Sequence, residues 1–203
     1  MAARRSLLLS ALGAAAVAAV ALAVTFVPVP PSVETGIPER IGREMAHETL
    51  RLRSANGRVT VLIRDTAEFP QKAVDVALAS FEAELGRSGA KADVIRKFQV
   101  DPLRMVQVPP GDFFELMRRS KAGDVLVSFM GPPLLSEEQR AALGLIQPRV
   151  VAFCPGYLPR YINLSLMVER GLLHGGIVAR ADPAGNRFES QYERLASGPN
   201  SRP

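Results

Sequence analysis

The stretch at residues 124–133, DVLVSFMGPP, constrains the fold more than any other part of the chain. Four of its first six residues are apolar, it follows a Gly123-Asp124 turn signal, and it ends in Gly-Pro-Pro, which cannot continue a β-ladder. A short, mostly apolar run with these boundaries is typical of a strand buried on both faces, as parallel strands are. We therefore predict a central parallel strand at residues 125–129.

Apolar runs and amphipathic segments alternate on both sides of this strand. Further strands are predicted at residues 58–64, 93–100, 149–154 and 172–179, and helices at residues 37–52, 68–86, 111–121, 136–143 and 158–169. Arg96 and Lys97 place the second strand near an edge of the sheet. This order predicts an α/β three-layer sandwich with a mostly parallel, doubly wound sheet of about five strands.

The N-terminal segment predicts export. Residues 7–29 carry no charge and are long enough to span a membrane as a helix, and Arg4 and Arg5 just before them favour a cytoplasmic N-terminus. The same pattern fits a signal peptide with a small-residue cleavage site at Ala21-Leu22-Ala23. Residues 3–9, ARRSLLL, resemble a twin-arginine export signal. We expect a single-pass protein of the cell inner membrane with its C-terminal domain in the periplasm, or a cleaved protein secreted to the periplasm.

After this segment the chain divides into three predicted parts. Residues 30–57 form a Pro-rich linker and a short helix, residues 58–182 the α/β domain, and residues 183–203 a flexible polar tail. The 203-residue chain is 47% hydrophobic and 22% charged, which is enough apolar material for a real core.

Composition and missing motifs exclude several classes of function. The single cysteine rules out an intramolecular disulfide, and with only His47 and His174 beside it we expect no metal site of the Cys/His kind. The net charge of +5 comes from scattered basic residues, so no nucleic-acid partner is expected. Asp65 and Thr66 follow the first strand where a dinucleotide turn would need glycines, and no phosphate loop occurs, so no cofactor is predicted.

The candidate site lies where the predicted strands end, because open sheets of this kind bind ligands beyond the carboxyl ends of their strands. The predicted ligand-binding residues are Asp65, Thr66, Gly131, Cys154, Gly156 and Tyr157. Several have plainer alternatives. Cys154 is either a nucleophile or a small buried hydrophobe. Asp65 is either a functional group (an acid, a base or a ligand contact) or a cap of the following helix. Thr66 is a plausible N-cap of that helix. His174 is expected to be a packed residue.

Residues 58–182 resemble one lobe of a periplasmic solute-binding protein of the type 1, sugar-binding kind. The resemblance rests on the apolar strand with a polar end at residues 59–66, the amphipathic helix after it, and the sequence GDVLVS at residues 123–128. It implies a small-molecule site at the strand ends. Such proteins close two lobes over a ligand and this chain has room for one, so enclosure would require a homodimer.

Two functional hypotheses follow. The first is a membrane-tethered or exported extracytoplasmic binding or assembly module, whose partner is a small molecule or another protein. The second is an exported hydrolase or transferase that uses Cys154 or Asp65. The sequence favours the first, because it carries no catalytic signature.

Overall fold

The structure is a computed structural model that describes residues 35–101, 106–144, 147–156, 158–180 and 191–194, with the backbone alone at 179–180 and 191–194. These residues belong to one compact unit, Glu34–Pro203. The predicted membrane or signal segment at residues 7–29 lies outside the described residues. Within the described ranges, no helix combines the length and the apolar character needed to cross a membrane.

Helices and strands alternate along the chain. They are α1 (Gly36–Leu52), β1 (Val59–Arg64), α2 (Lys72–Arg87), β2 (Val94–Phe98), α3 (Pro110–Arg119), β3 (Val125–Ser128), α4 (Glu137–Ala142), β4 (Arg149–Cys154), a 3-10 turn (Leu158–Arg160), α5 (Leu164–Glu169), β5 (Gly175–Arg180) and β6 (Gln191–Arg194). The strand order in the sheet is β2-β1-β3-β4-β5-β6. Strands β1 to β5 pair in parallel, and β6 pairs antiparallel with β5.

The predicted α/β architecture with a mostly parallel sheet of about five strands is confirmed. All four residues of β3 are buried, and the strand lies between β1 and β4 as a central strand should. Strand β2 is an edge strand with a largely exposed surface, in agreement with the prediction from Arg96 and Lys97.

Successive residues of each strand point to opposite faces of the sheet, and each face has its own core. We call the first the α3 face. There Leu62 of β1 and Leu126 of β3 share a cluster with Phe113 and Met117 of α3. We call the second the α1–α2 face. Its cluster contains Val61, Ile63, Val125 and Val127 from the strands, and Met45, Phe81 and Leu85 from the two helices. Together the sheet and these helices form three layers.

Helix α1 belongs to this core, although the sequence analysis placed it in a linker ahead of a domain beginning at residue 58. Met45 is fully buried, and Ser80 of α2 donates a hydrogen bond from Oγ to the Glu39 carbonyl oxygen of α1 at 2.9 Å. A Cβ atom at Gly42 would lie 2.2 Å from the carbonyl oxygen of Ala77. The absence of a side chain at Gly42 therefore lets the two helices approach closely.

Other boundaries also differ from those predicted. Helix α2 begins at Lys72, with Gln71 and not Thr66 at its N-cap position. Helix α5 begins at Leu164, later than predicted, because Asn163 caps it by accepting a hydrogen bond from the Leu166 amide at 3.0 Å. Strand β6 lies within residues 183–203, the segment predicted to be a flexible tail.

Candidate ligand site at the carboxyl edge of the sheet

The carboxyl ends of β1 to β5 meet at one edge of the sheet, because these strands are parallel. Asp65 and Thr66 follow β1, Gly131 lies three residues after β3, and Cys154 is the last residue of β4 with Gly156 soon after it. Five of the six predicted site residues are thus at or just beyond this edge. The sixth, Tyr157, lies outside the described residues.

A pocket opens at this edge beside the ends of β1 and β2. Its volume is about 240 Å³, and it is lined by Asp65, Glu68, Phe69, Gln99, Val100 and Asp101. Asp65 is the one predicted site residue among them. The volume is somewhat below the roughly 300 Å³ at which pockets for drug-sized molecules begin, so the space suits a small metabolite.

The backbone at the pocket is held by the pairing of β1 and β2. The amide of Asp65 donates to the Phe98 carbonyl oxygen at 2.8 Å, which extends the parallel ladder by one bond beyond β1. Asp65 Oδ1 accepts from the Ala67 amide at 3.1 Å. The carboxylate therefore closes a local turn and caps no helix, since α2 begins later, at Lys72. The hydrogen bond from the Ala67 amide orients the carboxylate at the pocket.

Thr66 does not line the pocket. Its Oγ1 donates to Asp75 Oδ1 at 3.0 Å, in the first turn of α2. This bond ties the loop after β1 to the start of the following helix. Thr66 thus supports the loop that carries the pocket residues without contacting the pocket itself.

The pocket is rich in hydrogen-bond acceptors. Carboxylates come from Asp65, Glu68 and Asp101, an amide comes from Gln99, and the Phe69 side chain is 54% exposed. Carboxylate oxygens accept from hydroxyl or ammonium groups, and an exposed ring can pack against an apolar face of a ligand. Over the described ranges, no group of three or more His, Cys, Asp or Glu residues is arranged to hold a metal ion.

Cys154 is part of the core and does not face the pocket. Its side chain is fully buried in the cluster on the α3 face. Burial raises the pKa of the thiol to about 12, so the group is a neutral thiol at physiological pH. The structure therefore favours the small buried hydrophobe over the nucleophile.

His174 lies too far from Cys154 to activate it. The sheet pairs Cys154 with Val178, while the His174 amide donates to the Val150 carbonyl oxygen at 2.9 Å. Four residues along a strand separate the two positions by about 13 Å. His174 Nδ1 accepts from the Val150 amide at 3.2 Å, and burial, with a smaller effect of Arg149, lowers the pKa of the imidazole to about 4. The imidazole is a neutral, packed group.

Gly131 shapes the end of β3. Its φ of 93° lies in the left-handed region, which favours glycine, and Pro132 and Pro133 after it are buried. Ser128 Oγ accepts from the Met130 amide at 3.2 Å and helps to hold this turn. Gly131 and this hydrogen bond therefore define the turn by which the chain leaves β3.

Sequence reasoning missed most of the pocket lining. Glu68 and Phe69 belong to the loop after β1, and Gln99, Val100 and Asp101 directly follow β2. The available signal was the polar end of the second predicted strand. We expected ligand contacts mainly after the other four strands, because the charged residues of the second strand indicated an exposed edge strand and not a binding site.

Comparisons with known proteins identify no family. No protein-family model and no curated protein matches the chain. A solute-binding protein of an ABC transporter from Burkholderia graminis, solved with D-arabinose, is similar with a TM-score of 0.44 and 19% identity over 70% of this chain and 47% of that one. A probable transcription regulator from Thermus thermophilus is similar with a TM-score of 0.43 and 18% identity over 73% of this chain and 52% of that one. The chain thus spans about half the length of each.

Proposed function

We propose that the chain is a binding module that holds a small polar molecule in the pocket beside the ends of β1 and β2. The observation that supports this function is the position of the pocket, at the edge where parallel α/β sheets bind ligands. The lining residues reach the pocket from two strand exits that a backbone hydrogen bond holds together. The site is therefore largely formed in advance, as ligand sites commonly are.

The lining residues favour a ligand that donates hydrogen bonds. Asp65, Glu68 and Asp101 present carboxylates, while Phe69 offers an apolar ring. A polyhydroxylated molecule or a small amine satisfies both features, because its hydroxyl or ammonium groups would donate to the carboxylates. The same carboxylates would repel an anionic group in this pocket.

Binding is tested by thermal shift and calorimetry on the purified chain, with a panel of sugars, polyols and small amines. For the best compound, Asp65→Asn should weaken binding by about tenfold, because it removes a charge-assisted hydrogen bond. Asparagine retains a side-chain oxygen that can accept from the Ala67 amide, so the turn should survive. Glu82→Gln, an exposed neutralisation on α2, is the matched control and should bind like the wild type. Equal binding by Asp65→Asn and the wild type would place the ligand elsewhere.

We further propose that this domain is exported and either tethered to the membrane or released by cleavage. The proposal rests on the uncharged residues 7–29 and on Arg4 and Arg5 before them. An alkaline phosphatase fused to the C-terminus should be active in cells if the domain crosses the membrane. Loss of the N-terminal residues from the mature protein would indicate cleavage, and an inactive fusion would contradict export.

The pocket lies at the edge of one α/β unit. Pairing of two chains, as the sequence analysis considered, would enclose a bound ligand. Light scattering with and without the best compound tests this proposal, since ligand-dependent dimerisation is the expected result. A monomer in both conditions would show that the module binds its ligand without enclosing it.

A further inference from the structure

Arg64 occupies an unusual position for a charged residue. It is the last residue of β1, and its side chain is only 9% exposed. Leu62, two residues earlier, packs in the cluster on the α3 face, whereas Ile63 packs on the α1–α2 face. The alternation of side chains along a strand therefore places the guanidinium on the α3 face, away from the side to which Ile63 points.

The positive charge of Arg64 has no counterion within the described part of the chain. Its Nε is buried without a hydrogen-bond partner, and the ion pairs among the described residues do not include this side chain. Its neighbour Asp65 instead accepts from the Ala67 amide and lines the pocket. A buried hydrogen-bond donor without a partner costs free energy, so the Nε atom calls for an explanation.

The surroundings of Arg64 include the N-terminus of α3, which carries Asp112 in its first turn. Strand order places β1 between β2 and β3, and α3 connects those two strands, so α3 runs across β1. Phe113 and Met117 of α3 accordingly pack in the same cluster as Leu62. Because α3 runs antiparallel to the strands, its N-terminus lies at the carboxyl edge, where Arg64 is. No side chain caps that N-terminus, and the positive end of its dipole attracts anions.

The strand order makes this place a topological switch point. In the order β2-β1-β3-β4-β5 the connections from β1 and β3 leave toward opposite faces, and sheets of this kind commonly bind ligands between two such strands. Arg64 at the end of β1 and Ser128 at the end of β3 lie on the same face there, since Ser128 pairs with Leu62. Both side chains are buried.

We propose that Arg64 anchors a site for an oxyanion, the carboxylate or phosphate group of a small molecule, between the carboxyl ends of β1 and β3. The planar guanidinium donates paired hydrogen bonds to such groups, and the N-terminus of α3 adds attraction. Arg64 does not line the acidic pocket at the ends of β1 and β2, so this site is distinct from that pocket. It does not depend on the function proposed for that pocket.

The first test measures binding of inorganic phosphate and of succinate to the full chain by calorimetry. Arg64→Gln should weaken binding of the preferred anion by about tenfold to a hundredfold, because charge-assisted hydrogen bonds are lost. Arg58→Gln removes the same charge from an exposed position at the opposite end of β1 and should bind like the wild type. Tighter binding of phosphate would indicate a phosphate site, and tighter binding of succinate a carboxylate site. Failure of both anions to bind, or equal loss in the two variants, would overturn the proposal.

The second test uses stability and needs no natural ligand. In buffer free of phosphate and carboxylates, Arg64→Met should unfold at a higher urea concentration than the wild type, because it replaces a buried donor that has no partner with an apolar side chain. Adding the preferred anion should raise the wild-type midpoint and leave that of Arg64→Met unchanged. An Arg64→Met chain that is less stable than the wild type without anions would assign Arg64 a structural role and refute the site. Asp65→Asn should not reduce the anion response, although it weakens binding in the acidic pocket, and this difference separates the two sites.

Discussion

The contact between α1 and α2 predicts an unusual response to a single methyl group. Gly42→Ala would place a Cβ atom 2.2 Å from the Ala77 carbonyl oxygen and 2.9 Å from the Phe81 amide nitrogen. Both atoms belong to the backbone of α2, so no side-chain rotation relieves the overlap. The helices would have to separate by about 1 Å, which forfeits a quarter to a half of the attraction at each affected contact. The buried contacts of Met45 and Phe81 lie in this interface.

Two effects of this substitution oppose each other. Alanine favours a helix over glycine by about 1 kcal/mol, whereas overpacking a tight interface costs about 1–3 kcal/mol. The cost here is about 2–3 kcal/mol, because both overlapping atoms belong to the backbone and cannot move aside. We expect Gly42→Ala to lower the free energy of unfolding by about 1–2 kcal/mol. Gly86→Ala in α2 is the matched control, because no atom lies within 4 Å of its added methyl group. It should be neutral or stabilising by up to about 1 kcal/mol.

Urea unfolding followed by circular dichroism measures both variants against the wild type. The expected order of midpoints is Gly86→Ala at or above the wild type and Gly42→Ala clearly below it. A Gly42→Ala chain as stable as the wild type would refute the close approach of the two helices. It would also return α1 to the linker role that the sequence had indicated.

Two further predictions concern titratable groups. The folded pKa of His174, about 4, lies below the ordinary 6.5, so the unfolded chain binds more protons between these values and stability should fall as the pH drops through them. We expect urea unfolding to show a loss of about 1–2 kcal/mol in the free energy of unfolding between pH 7 and pH 5. His174→Gln should remove this loss, and His47→Gln should retain it. An equal dependence of stability on pH in all three chains would disprove the prediction. Iodoacetamide should label Cys154 after denaturation and leave it unmodified in the folded chain, because the thiol is buried and its pKa is about 12. Rapid labelling of the native protein would restore the nucleophile hypothesis.

The architecture was predictable because buried parallel strands leave a strong local pattern. Val125, Leu126 and Val127 are fully buried, as a continuous apolar run requires. Helix α1 itself was predicted at residues 37–52, but its place in the core was not, for a physical reason. Its contribution depends on Gly42 and on its fit to α2, and neither the close approach nor the shared cluster leaves a signal within its own sequence.

The candidate site was predictable only as an edge of the sheet. The parallel arrangement of the strands brings Asp65 and Gly131 to that edge. The alternation of strands and helices along the sequence predicts this arrangement. Which exits form a pocket depends on the loops, whose conformations rest on contacts between distant residues. The hydrogen bond from the Asp65 amide to the Phe98 carbonyl oxygen is one such contact. It makes the end of β2, and not that of β4, the neighbour of Asp65.

The end of strand β1 carries a sequence pattern that our prediction of the site did not use. Its apolar run of Val61, Leu62 and Ile63 ends in Arg64 and Asp65, two opposite charges in succession. At the end of an interior strand such residues cannot all reach bulk water, and here Arg64 remains buried while Asp65 lines a pocket. Neighbouring side chains point to opposite faces of a strand. The end of one strand can therefore bind a cationic group through Asp65 and an anionic group through Arg64. With these two proposed sites, β1 is the element around which the proposed function is organised, and β3 is the buried strand that pairs beside it.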